Sequence, residues 1–176
     1  MIIILEGCDC AGKTTFAEKL SERTGYEIVK GSSFEISELG ADGMFKHMME
    51  LLDRKNIIID RFFYSNAIYG DMYGYPTMEV DQYVKLRNKM NEKALLVYLH
   101  APTHILESRM RKRGDDMIKV EDIRDIKEYY RDVLQGLLTP KTLLSLDTNE
   151  SNFDIATSMV AEFVKLQETA MYIHNS

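Results

Sequence analysis

Two cysteines, three prolines and no apolar run approaching a membrane span are the first things to notice in this 176-residue chain. A spanning helix needs roughly 18 or more consecutive apolar residues. The opening "MIIILE" is far shorter, and it has neither the basic start nor the small-residue cleavage site of a secretory signal. A cytoplasmic protein without a membrane partner is expected. Cys8 and Cys10 flank Asp9 too closely for an ordinary disulfide, and no further cysteine completes a zinc set. They read as small, reduced loop residues. Three Pro and ten Gly leave little room for disorder, and no repeat or low-complexity tract interrupts the chain. Basic charge is also scarce, with 22 Lys and Arg against 28 Asp and Glu and a net charge of -6. A long nucleic acid held through its phosphates is therefore not the expected partner, although a small anion needs only a local basic site.

The remaining composition, 45% hydrophobic and 28% charged, is that of a globular protein with enough residues for one full core. A single domain over residues 1–176 is expected. Apolar runs rich in Ile, Val, Leu or Tyr mark strands at Ile2 to Glu6, Tyr26 to Lys30, Asn56 to Asp60, Ala94 to Leu99 and Thr142 to Leu146. Continuous runs such as "IIID" and "LLVYL" suit strands covered on both faces. Helical spacing fills the gaps. One helix starts within Lys13 to Thr15 and stops at Gly25, and another runs from about Ala41 to Arg54. A third follows Pro102 to Arg113, with Gly114 just beyond. Val120, Ile123, Ile126, Tyr130, Val133, Leu134 and Leu137 recur at helical spacing, as do Ile155, Met159, Val160, Phe163 and Val164. Alternating strands and helices predict a three-layer α/β domain, a five-stranded parallel sheet flanked by helices, with ligands at the carboxyl ends of the strands.

Residues Gly7-Cys8-Asp9-Cys10-Ala11-Gly12-Lys13-Thr14-Thr15 contain a glycine, four residues, then Gly-Lys-Thr, set between a predicted strand and a predicted helix. That is the context in which backbone N–H groups cradle phosphate oxygens. Lys13 is expected to reach the β- and γ-phosphates of ATP, and the Thr14 hydroxyl to bind Mg²⁺. Asp60 ends an apolar strand and would emerge at the same sheet edge, where a carboxylate can hold Mg²⁺. Arg61 follows directly and can clamp an anionic acceptor. In "ESRMRKRGDD", Arg109 and Arg113 share a helix face while Arg111 points elsewhere. A Mg²⁺–nucleotide site with further positive groups suits phosphoryl transfer to another anion. The Asn-Lys-x-Asp motif of a GTPase switch is missing.

Three segments, "LEGCDCAGKTT", "IDRFFYSNAIYG" and "SRMRKRGDDMIKVE", give the chain a resemblance to the thymidylate kinases, within the wider nucleoside monophosphate kinases. The resemblance implies an ATP- and Mg²⁺-dependent P-loop fold that phosphorylates a deoxynucleoside monophosphate, most simply dTMP. It implies that Asp9 contacts the acceptor sugar and that Arg61 binds the acceptor phosphate. Asn66 and Tyr69 fall at base- and sugar-pocket positions, and a segment of about 109–121 resembles a lid. With Cys10 small where some members carry an arginine, Arg109 and Arg113 are expected to supply the lid cations, with Arg111 a third candidate. A homodimer is a family-level expectation. The chain departs from the pattern at "KGSSFEISELG", where an Arg near a Pro is usual, and at Ile118, Lys119 and Glu121. Phe34 and Phe45 are candidates to stack on the base, although each reads more readily as core. A deoxynucleoside kinase is the alternative enzyme, but such enzymes often carry Glu-Arg-Ser or Asp-Arg-Ser where this chain has Asp60-Arg61-Phe62. A non-catalytic nucleotide-binding regulator is the third reading.

Overall fold

The computed structural model describes residues 1–114, 118–136, 138–149 and 152–174, with only the backbone described for 171–174. Strands β1 (Ile2–Glu6), β2 (Glu27–Lys30), β3 (Ile57–Asp60), β4 (Ala94–His100) and β5 (Leu143–Asp147) form one sheet in the order β2-β3-β1-β4-β5. Every pairing is parallel, with Ile4 opposite Ile59 on one side and Leu96 on the other. The centre of the sheet is buried on both faces, which is why its strands read as unbroken apolar runs: Ile2 to Glu6 are all buried.

Helix α1 (Lys13–Thr24) links β1 to β2 and packs mainly on α8 (Phe153–His174). Right-handed crossovers place the remaining connections on the opposite face. These are α2 (Phe34–Ser37), α3 (Gly40–Leu51), α4 (Phe63–Tyr73), α5 (Val80–Lys93), α6 (Thr103–Arg113) and α7 (Ile123–Gln135), with a 3₁₀ turn at Val120–Asp122 leading into α7. Gly25 caps α1 in the left-handed conformation, as its sequence position predicts.

The expected strands are all present, with ends shifted by one residue at most. The long stretch Phe62 to Met90 is two helices, broken where Gly74 turns left-handed and Pro76 follows. Leu137, placed on the α7 pattern, lies outside the described residues, as do Asp115, Asp116 and Met117 of the lid-like segment. Phe45 packs beside the core, but Phe34 is 52% exposed, so its expected place in the core is corrected. It starts a four-residue helix whose cap, Ser33, turns the ring outward beside Tyr75. None of the described helices is long and apolar enough to cross a membrane.

Ile4 lies at the centre of the sheet and is fully buried. Ile4→Ala should lower unfolding free energy by about 2–5 kcal/mol, as read by chemical denaturation. A loss below about 1 kcal/mol would contradict this packing.

Candidate active site

The phosphate cradle forms because the chain leaves β1 through Gly7, whose φ of 145° and close approach to Leu99 exclude a side chain. A Cβ there would lie 2.1 Å from the Leu99 carbonyl oxygen. Cys10, although not glycine, adopts φ 60°. The Lys13 ammonium donates to the carbonyls of Gly7 at 2.7 Å and Cys8 at 2.8 Å, fixing its position at the floor of the loop. An ammonium has three protons, so these two bonds leave one for a phosphate oxygen. Thr14 and Thr15 are exposed on the first turn of α1. Burial pushes the Cys8 thiol up to about 12, which leaves it a small inert side chain.

β3 delivers the second half of the site. Asp60 ends the strand and Arg61 turns sharply out of it with φ 60°, a conformation that costs a bulky residue about 1–3 kcal/mol. Gly31, just after β2, makes room for this turn, since a Cβ there would lie 2.4 Å from the Arg61 carbonyl. The turned guanidinium donates to Asp9 Oδ1 at 2.6 Å and to Ser65 Oγ at 3.4 Å, and sits 5.0 Å from the centre of the Tyr69 ring. Tyr69 Oη also donates to Asp9. Burial alone would raise the Asp9 carboxyl, but Arg61, Lys13 and the Tyr69 bond outweigh it and hold the group below the usual carboxylate range.

Two cavities meet at Arg61. The first, about 390 Å³, is lined by Asp9, Cys10, Gly12, Lys13, Thr14, Thr15, Asp60, Arg61, Arg109 and Arg113. The second, about 210 Å³, includes Ser33, Phe34, Asn66, Tyr69, Tyr73 and Tyr75 in its wall, again with Arg61. Among the described residues the second cavity has one cationic side chain and no carboxylate in its lining. Arg109 is held at the first cavity by Thr148, donating to its hydroxyl and its carbonyl at 3.0 Å each. Arg111 instead pairs with Glu107 on the outer face of α6 and lines neither cavity.

Asp60 Oδ1 is buried without a hydrogen-bond partner. An orphaned carboxylate oxygen on a residue that lines the same cavity as Thr14 fits a divalent cation, and no group of three His, Cys, Asp or Glu side chains placed to hold a metal exists among the described residues. Such an ion would have to take its other ligands from phosphate and water.

The residues expected at the site are thus brought together, but Asn66 behaves differently from a simple base reader. Its amide donates to the Pro76 carbonyl and to Met44 sulfur, and accepts from Tyr83, so it ties the α4–α5 turn to the cavity wall. Sequence reading missed Ser32, Ser33, Tyr73, Tyr75 and the buried acid Glu6, whereas Phe34, one of the two base-stacking candidates, does lie in the wall of the second cavity. A charged residue closing the apolar run "MIIILE" was the available signal for Glu6.

A parallel sheet in this order with a glycine-rich phosphate cradle defines a P-loop kinase fold. The chain belongs to the deoxynucleoside kinase family, whose model matches residues 31–171. The SPbeta prophage-derived YorR protein of Bacillus subtilis (strain 168) is 43% identical over 136 residues, covering 77% of this chain and 82% of that protein. Its crystal structure, in complex with phosphorylated GDP, has a TM-score of 0.87 at 38% identity, covering 96% and 98% of the two chains. A "Probable thymidylate kinase" of Methanococcus vannielii is 27% identical over 156 residues, or 76% of this chain and 77% of that one. A deoxyadenosine kinase from M. mycoides, with a TM-score of 0.58 and 20% identity over 94% of this chain and 99% of that one, shares the fold. The family implies a nucleotide phosphoryl donor; it supports a kinase without singling out thymidylate.

Burial, with Arg61 adding to it, lowers the Lys13 ammonium to about 8 against the opposing pull of Asp9 and Asp60. The charged form exists below that value, so affinity for a nucleoside triphosphate should be level below pH about 8 and fall above it. The limiting slope is about tenfold per pH unit. Calorimetric titration from pH 6.5 to 9.5 tests this, and affinity that stays flat throughout would contradict the placement of Lys13.

Proposed function

We propose that this protein transfers the γ-phosphoryl group of ATP to the phosphate of a deoxynucleoside monophosphate, with dTMP the first acceptor to test. The observation that carries the reading is the position of Arg61, among the described residues the one cation shared by both cavities, in an acceptor cavity whose described lining has no carboxylate. Phosphorylating a sugar hydroxyl requires a base to take its proton, whereas an acceptor phosphate is already anionic. Among the described residues two carboxylates line the adjoining cavity: Asp60 is assigned to the metal, and Asp9, held below its ordinary range by Arg61, Lys13 and Tyr69, is a weak base.

In this reading the cradle of Gly7, Cys8, Asp9, Cys10, Ala11, Gly12, Lys13, Thr14 and Thr15 binds the donor, and Arg61 orients the acceptor phosphate. An acceptor oxygen attacks the γ-phosphorus in line, forming one O–P bond as the bond to the β-phosphate oxygen breaks and ADP leaves. Arg109 and Arg113 meet the charge spread over the transferred group, and positioning supplies most of the rate. Thr14 and Asp60 would hold Mg²⁺, which supplies charge neutralisation when bound. Tyr69 and Asn66 form the sugar side of the acceptor cavity, with Phe34 and Tyr75 at its outer rim.

The family match favours a second reading, a deoxynucleoside kinase acting on an uncharged sugar. The guanine nucleotide bound to YorR supports nucleotide binding here and puts dGMP in the assay panel beside dTMP.

Incubation with ATP and Mg²⁺ should convert at least one deoxynucleoside monophosphate to its diphosphate, and faster than the matching nucleoside. Arg61→Ala should fold and lose about 10²-fold or more in kcat/KM for the acceptor. Turnover of nucleosides alone would reverse the order of the two readings, and no product from any acceptor would leave the regulator reading.

A further inference from the structure

Glu6 is a carboxylic side chain with no exposure to solvent, in the most buried strand of the sheet, and it touches neither cavity. Burying such a group is costly unless donors surround it. Here four donors converge on it from two elements. Oε1 accepts from the backbone N–H of Phe62 at 2.8 Å and of Ser65 at 3.1 Å. Oε2 accepts from Ser65 Oγ at 2.6 Å and Tyr130 Oη at 2.9 Å.

The arrangement has a direct structural reason. Helix α4 begins without a side-chain cap of its own, since its cap residue is Phe62. Two of the N–H groups that a helix N-terminus leaves unsatisfied are met by Glu6 from a neighbouring strand, and its carboxylate faces the positive end of the helix dipole. Arg61 is the residue just before this cap, and its Nη1 donates to the same Ser65 hydroxyl that Glu6 holds. On its other side Glu6 is bonded to Gly7, the first residue of the phosphate cradle. Tyr130 brings in α7, which is tied to the far end of α4 by the Tyr73–Asp122 hydrogen bond at 2.9 Å.

We propose that Glu6 is a positioning residue for phosphoryl transfer, which fixes the Arg61 guanidinium relative to the phosphate cradle through Ser65 and the N-terminus of α4. The inference rests on the reading of Arg61 as the acceptor-phosphate ligand. Its physical basis is spacing: the residue that carries the donor cradle also holds the turn that carries the acceptor cation, so donor and acceptor cannot drift apart independently. Tyr130 completes the hold from the lid side of the domain.

A double-mutant cycle separates positioning from mere stability. Glu6→Gln and Tyr130→Phe should each fold, and Glu6→Gln should raise KM for the acceptor about tenfold while KM for ATP changes less than about twofold. Tyr130→Phe, which takes away the phenol hydroxyl but leaves the other three donors on Glu6, should move the acceptor KM in the same direction by a smaller factor. In an Arg61→Ala background both changes should add less than about twofold, because the group they position is gone. An equal rise in both KM values, or the same loss with and without Arg61, would overturn the proposal. If Glu6→Gln fails to fold, Tyr130→Phe runs the same cycle. The acceptor is whichever molecule the wild-type protein phosphorylates fastest, so a nucleoside in that role would defeat the monophosphate reading while the cycle still decides the role of Glu6.

Discussion

The ion pair between Arg61 and Asp9 joins the two halves of this molecule. Asp9 belongs to the cradle that follows β1, Arg61 to the turn that follows β3, and their 2.6 Å contact closes the gap between them at the sheet's carboxyl edge. Both groups are largely shielded from water, so removing one partner would leave the other as a poorly solvated charge without its counter-ion. It also explains an acid in a loop that binds anions. Asp9 does not face the donor phosphates as a bare charge, because Arg61 neutralises it and Tyr69 hydrogen-bonds it. The strained φ of Arg61, the close approach of Gly31 and the buried anchor at Glu6 all serve to keep that guanidinium where the cavities meet.

Local signals were enough for the sheet. Strands such as Ile57–Asp60 are short apolar runs bounded by polar turns, and burial on both faces is what removes the alternation an exposed strand would show. The helical region after Arg61 was less legible. Its residues Phe62, Phe63 and Tyr64 are all buried, so the stretch lacks the one-sided pattern that separates neighbouring helices, and only Gly74 and Pro76 mark the break. Phe34 was harder still: an aromatic beside Ser32 and Ser33 reads as core until the short helix turns it outward.

The site divides along the same line. Lys13, Asp60 and Arg61 could be placed from sequence because each sits at a fixed offset from a strand end, and strand ends in a parallel sheet share one edge. Arg109 and Arg111 are two residues apart on a helix, which turns them to different faces; one reaches Thr148 and the other Glu107. What the sequence could not display was partnership across long separations. Glu6 and Tyr130 are 124 residues apart, and Asn66 spends its amide on Pro76, Met44 and Tyr83 in a way no spacing rule reveals. Family membership then narrows the chemistry to a kinase, while the proposed acceptor rests on charge: among the described residues one arginine is shared by the two cavities, and the acid paired with it is held below its ordinary range.

The most direct measurement is a crystal structure of the protein with a deoxynucleoside monophosphate bound. The account predicts the acceptor phosphate within hydrogen-bonding distance of the Arg61 guanidinium, about 2.7–3.2 Å, with the sugar against Tyr69 and the Asp9–Arg61 contact kept. A phosphate lodged away from Arg61, or a sugar hydroxyl placed against Asp9 after that contact has opened, would contradict it.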